Sequence, residues 1–287
     1  MSLLCILILQ HIDVIFYHLR KKSKLRTDQE YRFTAINYFF KNYVGKTYRR
    51  YYPNDSDTVL STQQDYDESV VVADNENTVN NIIKEFSIPA GLTWHLVDEV
   101  YVPMNCNQNF HWVLAIIALK DRRMRVYDSL YNIRNMDSFV EIQKLALMLP
   151  TFLSDSGFFE QTSRTDWPNL DAYRDKLSDT TQLLNTNPFE VEYVQNIFQQ
   201  DCDSLDCGIF VARYTEYISE GISFPTVGFE VAYHRMRYAS LLKNYDFCKA
   251  KKNYVSENED PPRPRRTKYS IPEEMAIVRI GLEDSLL

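Results

Sequence analysis

A cysteine at position 207 lies where a polar, turn-forming stretch gives way to an apolar one. Residues 208–218 carry apolar side chains at three- to four-residue spacing, which predicts a helix that begins at this cysteine. The unpaired N–H groups in the first turn of a helix favour negative charge, so a thiol there is biased toward thiolate. Cys207 therefore suits a nucleophile. The alternative interpretation is a buried structural cysteine that only packs.

A thiol nucleophile needs a base and a group that orients the base, and His111 and Asp128 are candidates for these roles. His111 opens the apolar run 111–119, which predicts a strand buried on both faces, and Asp128 closes a predicted strand over 124–128. A charged turn at 120–123 joins the two strands into a predicted hairpin, whose outer ends bring the two residues side by side. Spacing alone leaves a catalytic and a structural interpretation open.

The rest of the chain predicts the elements that hold these residues in place. The acidic stretch 51–80 predicts a long surface excursion with one helix near 69–73. The region 154–187 predicts a second polar, loop-rich segment. Apolar spacing and breaker residues predict helices over 11–24, 30–43, 138–149 (stopped by Pro150) and 232–250, and strands over 97–103 and 190–197.

Composition narrows the class of protein. The chain has 287 residues, enough for one large domain or two small ones, and its net charge of −7 argues against a nucleic-acid partner.

Five cysteines without a CxxC pair do not form a disulfide framework, which predicts a reducing compartment. The apolar start is too short for a membrane span. A metal site through Cys202 and Cys207 would lack a second cysteine pair, so we expect neither a metal nor a cofactor.

Three segments resemble the His, Asp, Gln and Cys motifs of the ubiquitin-like-protein (SUMO-type) cysteine proteases. They are 109–114, 125–129 and the stretch from Gln199 to 211, and 97–103 resembles the plant branch of that family. The resemblance implies an α+β, papain-like and adenain-related fold. In that fold a central mixed sheet is flanked by helices, and the nucleophile lies at a helix N-terminus.

The resemblance also implies a role for each site residue. Cys207 would be the nucleophile, His111 the general base and then acid, Asp128 its orienting carboxylate, and Gln200 the side-chain donor to the oxyanion. Trp112 would cover a narrow tunnel for the substrate's Gly-Gly, through which only glycine can pass. The implied reaction is hydrolysis of the peptide or isopeptide bond after the C-terminal Gly-Gly of SUMO or a related modifier.

Two features depart from the family pattern. The family carries its glutamine six residues before the cysteine, where this chain has Asp201, while Gln200 and Gln199 lie seven and eight residues before it. A second tunnel tryptophan is expected just before the first helix, where residues 8–12 read Ile-Leu-Gln-His-Ile. An alternative function is therefore a degenerate relative, for example one of mobile-element origin, that binds a modifier without turnover.

The resemblance predicts a catalytic domain over 11–250, between an atypical segment at 1–10 and a polar, Pro- and Arg-containing tail at 251–287. Basic runs at 20–22 and 263–268 could act as nuclear signals, although such runs are also common on solvated surfaces. The family implies a nuclear or cytoplasmic location. We expect a monomer whose partners are SUMO, or another ubiquitin-like modifier, and its conjugates, without a membrane or nucleic-acid partner.

Overall fold

A five-stranded mixed sheet forms the centre of the chain, with its strands in the spatial order in which they occur in the sequence. The computed structural model describes residues 3–26, 30–51, 74–85, 88, 91–106, 111–130, 136–174, 187–201, 204–222 and 229–251. The strands are β1 (Phe33–Ala35), β2 (Glu99–Cys106), β3 (His111–Ala118), β4 (Arg123–Tyr127) and β5 (Glu190–Tyr193). β1 and β5 are parallel to their neighbours, while β3 is antiparallel to both β2 and β4.

Helices cover both faces of this sheet, which agrees with the predicted α+β class. They are α1 (Leu3–Leu25), α2 (Phe40–Tyr51), α3 over 74–83, α4 (Met136–Asp155), α5 (Cys207–Ser219) and α6 (Val231–Lys251). Short 3-10 turns lie at Trp94–Leu96, Phe158–Glu160 and Trp167–Asn169. In the described part of the chain, no helix combines the length and apolar character needed to cross a membrane.

Strand β3 is buried at all of its positions, as its continuous apolar run predicts. Because side chains alternate across a strand, β3 contributes to two separate apolar layers. Val113, Ala115 and Ile117 join the layer that contains residues of α2, α3 and α4. Trp112, Leu114 and Ile116 join the layer that contains α1 and α5, together with Cys207. The sheet thus separates a supporting face from the face that carries the predicted nucleophile.

The predicted hairpin of β3 and β4 is present. Its register pairs Leu114 with Tyr127 and Ala118 with Arg123, so the two strands run side by side to their open end. β2 pairs along the other edge of β3 and ends at Cys106, opposite His111. His111, the first residue of β3, and Asp128, the residue after β4, therefore lie at the same end of the sheet.

The helix predicted over 30–43 is wrong. Residues Phe33–Ala35 form β1 instead, and α2 begins only at Phe40. All three residues of β1 are buried and pair in parallel with the first three residues of β2. The apolar side chains in this stretch are buried against β2 and α1, although their spacing also fits a helix. Pairing with a distant strand therefore overrides the local helical pattern.

The prediction that Pro150 ends its helix is also wrong, because α4 continues to Asp155 with the proline inside it. A proline lacks the N–H that would bond the carbonyl four residues earlier, which here belongs to Ala146. The backbone N–H of Phe189 donates to that carbonyl over 3.0 Å. A contact from a distant segment therefore satisfies the acceptor that the proline leaves unpaired.

Other boundaries shift by a few residues. The strand predicted over 97–103 runs from Glu99 to Cys106, and β5 stops at Tyr193 rather than 197. Pro103 is tolerated inside β2 because β1 pairs only as far as Tyr101, so no described strand flanks the proline on that side. The helix predicted near 69–73 and most of the predicted C-terminal tail lie outside the described residues. The domain boundaries remain predictions.

Candidate active site

His111 and Asp128 meet at the open end of the β3–β4 hairpin. The Nε2 atom of His111 lies 2.8 Å from Oδ1 of Asp128, and the two side chains are only 5% and 2% exposed. The same carboxylate oxygen accepts the backbone N–H of Leu130 over 2.8 Å. Because a carboxylate only accepts hydrogen bonds, Nε2 carries the proton and Nδ1 is the nitrogen that can accept one. The hairpin thus orients the imidazole and sets its tautomer.

Cys207 is the first residue of α5 and is buried, as the sequence predicts. The helix is held on the sheet by Phe210, Val211 and Tyr214, which pack in the same apolar layer as Trp112. The carbonyl of Asp206 accepts the N–H groups of Ile209 and Phe210, over 2.8 and 3.2 Å, which starts the helix directly at the cysteine. The thiol therefore lies at the positive end of the α5 dipole.

The electrostatics of His111 link these two elements. Nδ1 is buried and makes no hydrogen bond of standard geometry with the described residues. Burial alone would lower the pKa of His111, but its hydrogen bonds and electrostatic interactions with Asp128 and Cys207 raise this pKa to about 9. The environment between these two side chains therefore favours the imidazolium form of His111 at neutral pH. An imidazolium beside a cysteine is a charge arrangement that activates a thiol.

Of the two adjacent glutamines, Gln200 is the buried one. Its side chain is buried and its backbone N–H donates to the Ser129 carbonyl over 2.9 Å. Gln199 is exposed, and its amide nitrogen donates to the Asp128 carbonyl over 3.2 Å. The exposed Gln199 side chain thus bonds the end of β4, while the Gln200 side chain is buried. Gln200 is the residue for which the sequence predicts the role of oxyanion donor.

Side-chain contacts hold the residues just before the nucleophile. Ser204 Oγ donates to the Asp206 carboxylate and accepts the Asp206 backbone N–H over 3.2 Å. The other oxygen of that carboxylate pairs with the guanidinium of Arg235 on α6. The turn into α5 is therefore tied to α6. Residues 202 and 203, including the cysteine considered for a metal site, lie outside the described residues.

Trp112 is almost fully enclosed in the layer that contains Cys207. The ring of Tyr38 lies edge-on to it, with centroids 6.2 Å apart. The chain has three tryptophans, and the other two, Trp94 and Trp167, pack on the opposite face of the sheet. Neither of these two tryptophans therefore forms a second wall of a glycine tunnel beside Trp112. The tunnel role of Trp112 stays a prediction.

Sequence reasoning missed two residues that the fold brings to this site. Ser129 follows Asp128 within the 125–129 motif, but nothing local indicates its contact with Gln200. Arg235 lies on another helix, and no local pattern pairs it with Asp206. Where residues are described, no group of three His, Cys, Asp or Glu side chains could hold a metal ion.

The sequence of this chain matches the model of one protein family. Residues 62–250 match the sequence model described as the Ulp1 protease family, C-terminal catalytic domain. This chain belongs to the Ulp1 protease family. The match confirms the family resemblance seen in the motifs.

Individual relatives are distant. Ubiquitin-like-specific protease 1A of Arabidopsis thaliana is 25% identical over 150 residues, which cover 52% of this chain and 24% of that protein. The chain thus matches about a quarter of this relative's length. The yeast C-terminal Ulp1 protease domain in complex with Smt3, the yeast ortholog of SUMO, is 20% identical, with a TM-score of 0.38 over 74% of this chain and 66% of that one. Chlamydia trachomatis effector Cdu1, bound to ubiquitin, is 14% identical, with a TM-score of 0.33 over 87% and 96%.

Proposed function

We propose that this chain is a cysteine protease that hydrolyses the peptide or isopeptide bond after the C-terminal Gly-Gly of SUMO or a related ubiquitin-like modifier. One observation carries the proposal. The buried imidazole of His111 lies 2.8 Å from Asp128, and its interactions with Asp128 and with Cys207, at the start of a helix, raise its pKa. Membership of the Ulp1 family supplies the class of reaction.

The proposed mechanism assigns one role to each of these groups. His111 Nδ1 takes the thiol proton, and the Cys207 thiolate attacks the carbonyl carbon of the last glycine. The oxyanion receives hydrogen bonds from the Gln200 side-chain amide and the Cys207 backbone N–H. The imidazolium then protonates the departing amine as the C–N bond breaks and a thioester forms. His111 finally activates water, which hydrolyses the thioester and restores the thiol.

The substrate class rests on the family and on the name of the Arabidopsis relative, which is a ubiquitin-like-specific protease. A channel beside Trp112 that admits only a backbone without side chains would select a Gly-Gly terminus. The acidic net charge of −7 disfavours nucleic acid as a further ligand. We include in the proposal a monomeric enzyme that acts in the nucleus or cytoplasm.

A covalent probe tests this function directly. SUMO and ubiquitin carrying a C-terminal vinyl sulfone would be incubated with the wild type, Cys207→Ala and Cys106→Ala. Cys106 is a matched control because it is also a buried free cysteine, and burial raises the pKa of its thiol to about 12. We expect an adduct with the wild type and with Cys106→Ala, and none with Cys207→Ala. A folded wild type that forms no adduct with either probe would contradict the proposal.

The alternative is a protein that binds a modifier without turnover. It is favoured by one observation, that Trp94 and Trp167 both pack away from the Cys207 face and leave the tunnel without a second tryptophan. Hydrolysis of a modifier conjugate, measured beside binding of the same modifier to Cys207→Ala, separates the two functions. Binding by both proteins without cleavage by the wild type would favour this alternative.

A further inference from the structure

We infer that Ser129 is a positioning residue that fixes the orientation of the Gln200 side-chain amide, and through it the oxyanion donor. This inference rests on the proposed function of Gln200. The two residues are 71 positions apart in the sequence and are both buried. Ser129 follows Asp128 at the end of β4, so one strand end would orient both the general base and the oxyanion donor.

Three hydrogen bonds join Gln200 to its surroundings. Its backbone N–H donates to the Ser129 carbonyl over 2.9 Å, which fixes the main chain beside the strand end. Ser129 Oγ donates to the side-chain Oε1 of Gln200 over 3.0 Å. The side-chain Nε2 of Gln200 donates to the Ser204 carbonyl, also over 3.0 Å. The amide is therefore held at both of its polar atoms.

These contacts determine which way the amide points. A backbone carbonyl can only accept a hydrogen bond, so the atom that faces the Ser204 carbonyl must be the nitrogen. The oxygen then faces Ser129, whose hydroxyl is the donor that it needs. An NH₂ group has two hydrogens, and Ser204 uses one of them. The second hydrogen is the one that we assign to the oxyanion.

The rotational freedom of the glutamine side chain explains why this amide needs such a contact. The terminal torsion of a glutamine is broad, with two nearly equivalent orientations. Without the Ser129 hydroxyl, Oε1 would lose its buried donor and the amide could rotate away from the position that suits the oxyanion.

A double-mutant cycle on turnover tests the inference. Ser129→Ala, Gln200→Ala and the double variant would be compared with the wild type on a modifier fused at its C-terminal Gly-Gly to a fluorogenic amine. We expect Gln200→Ala to lower kcat by about 10²–10³-fold, as for other oxyanion donors. Ser129→Ala should lower kcat by about tenfold with KM unchanged, as for lost orientation. The double variant should match Gln200→Ala, because Ser129 acts only through the glutamine.

Ser156→Ala is the matched control. Ser156 is equally buried and its hydroxyl also makes one hydrogen bond, to the Leu153 carbonyl over 2.9 Å, but it lies after α4 and away from the site. We expect kcat of this variant to equal that of the wild type. Wild-type kcat in Ser129→Ala, or the same loss with and without Gln200, would overturn the inference.

A measurement that needs no turnover separates this inference from the proposed function. In Cys207→Ala, the ¹⁵N side-chain amide resonances of Gln200 should shift, and their protons should exchange faster with solvent, when Ser129 is also changed to Ala. Unchanged resonances would overturn the positioning role even if the enzyme is active. A wild type that forms no probe adduct, together with the expected shift, would instead overturn only the catalytic function.

Discussion

Asp98 and Asp128 lie at opposite ends of the same antiparallel strands and have different partners. Asp98 immediately precedes β2, beside the end of β3 at Ala118, and Asp128 follows β4 at the end where His111 begins β3. Each side chain accepts hydrogen bonds from a basic side chain and from a backbone amide. The comparison shows what distinguishes a structural carboxylate from one in a reactive site.

Asp98 is surrounded by permanent cations. Arg164 donates to both of its oxygens over 2.8 and 3.0 Å, Lys120 lies 2.7 Å away, and the N–H of Arg32 adds a bond of 2.8 Å. Burial alone would raise the pKa of Asp98, but these bonds lower it. Since arginine does not titrate in this range, the cluster stays charged and ties three segments together.

Asp128 binds a group that can gain and lose a proton. Its cationic partner is His111, whose other nitrogen is on the side of the thiol. The bond at this end therefore changes strength during a proton transfer, whereas the bonds at Asp98 do not. Under the proposed function the two ends divide stability from chemistry, and this division can be tested by changing each end separately.

The largest effect is expected from Asp128→Asn. An amide of the same shape can present its NH₂ group to the imidazole and reverse the tautomer, so Nδ1 would no longer be the acceptor. We expect kcat to fall by about 10³–10⁴-fold, while the protein stays folded. Steady-state hydrolysis and thermal unfolding of the same preparations give both values. A kcat within tenfold of the wild type would contradict the assigned role of Asp128.

At the other end, Arg164→Ala should change stability rather than kcat. The substitution removes two charge-assisted hydrogen bonds from a carboxylate that is only 15% exposed. We expect the free energy of unfolding to fall by about 1.5–3 kcal/mol, as for hydrogen bonds to charged groups. Urea unfolding measures this loss, and kcat at a temperature where the variant is folded should stay within twofold of the wild type. A large loss of kcat would contradict the separation of the two ends.

The pH dependence of stability should differ between the Asp98 end and the Asp128 end of the strands. The pKa of His111 is raised from 6.5 to about 9, so the stabilisation from its ion pairs is complete below pH 6.5 and is lost as pH rises through 9. The lowered pKa of Asp98 has the opposite sign, because its contribution is lost at acid pH. We expect an alkaline limb of kcat/KM near pH 9, which Asp128→Asn moves to lower pH. A limb that stays in place would show that it belongs to another group.

The smallest effect is expected from Lys120→Ala. Lys120 pairs with Asp98 but its side chain is 45% exposed, so solvent screens the interaction. We expect a loss of about 0.2–1 kcal/mol in the free energy of unfolding, which should shrink further in 1 M salt. Urea unfolding at two salt concentrations measures it. A loss equal to that of Arg164→Ala would mean that total charge, rather than the bidentate geometry, stabilises this end.

Much of the site is predicted by local pattern. The continuous apolar run predicts β3, the charged turn predicts the hairpin, and the change to helical spacing at Cys207 predicts the start of α5. These signals suffice because each depends on residues close in sequence, whose periodicity directly reflects the surface that they bury. The placement of His111, Asp128 and Cys207 at element ends was therefore predictable.

Other features required the folded chain. The short β1 exists because β2 offers it a partner, and α4 continues past Pro150 because Phe189 bonds the freed carbonyl. The choice of Gln200 over Gln199 depends on Ser129, 71 residues away. Sequence periodicity shows which side chains are buried, but a hydrogen bond between distant segments depends on where the chain brings them. For this reason the sequence by itself determined that His111, Asp128 and Cys207 lie at the ends of their elements, and only the tertiary structure decided how the Gln200 side chain is held.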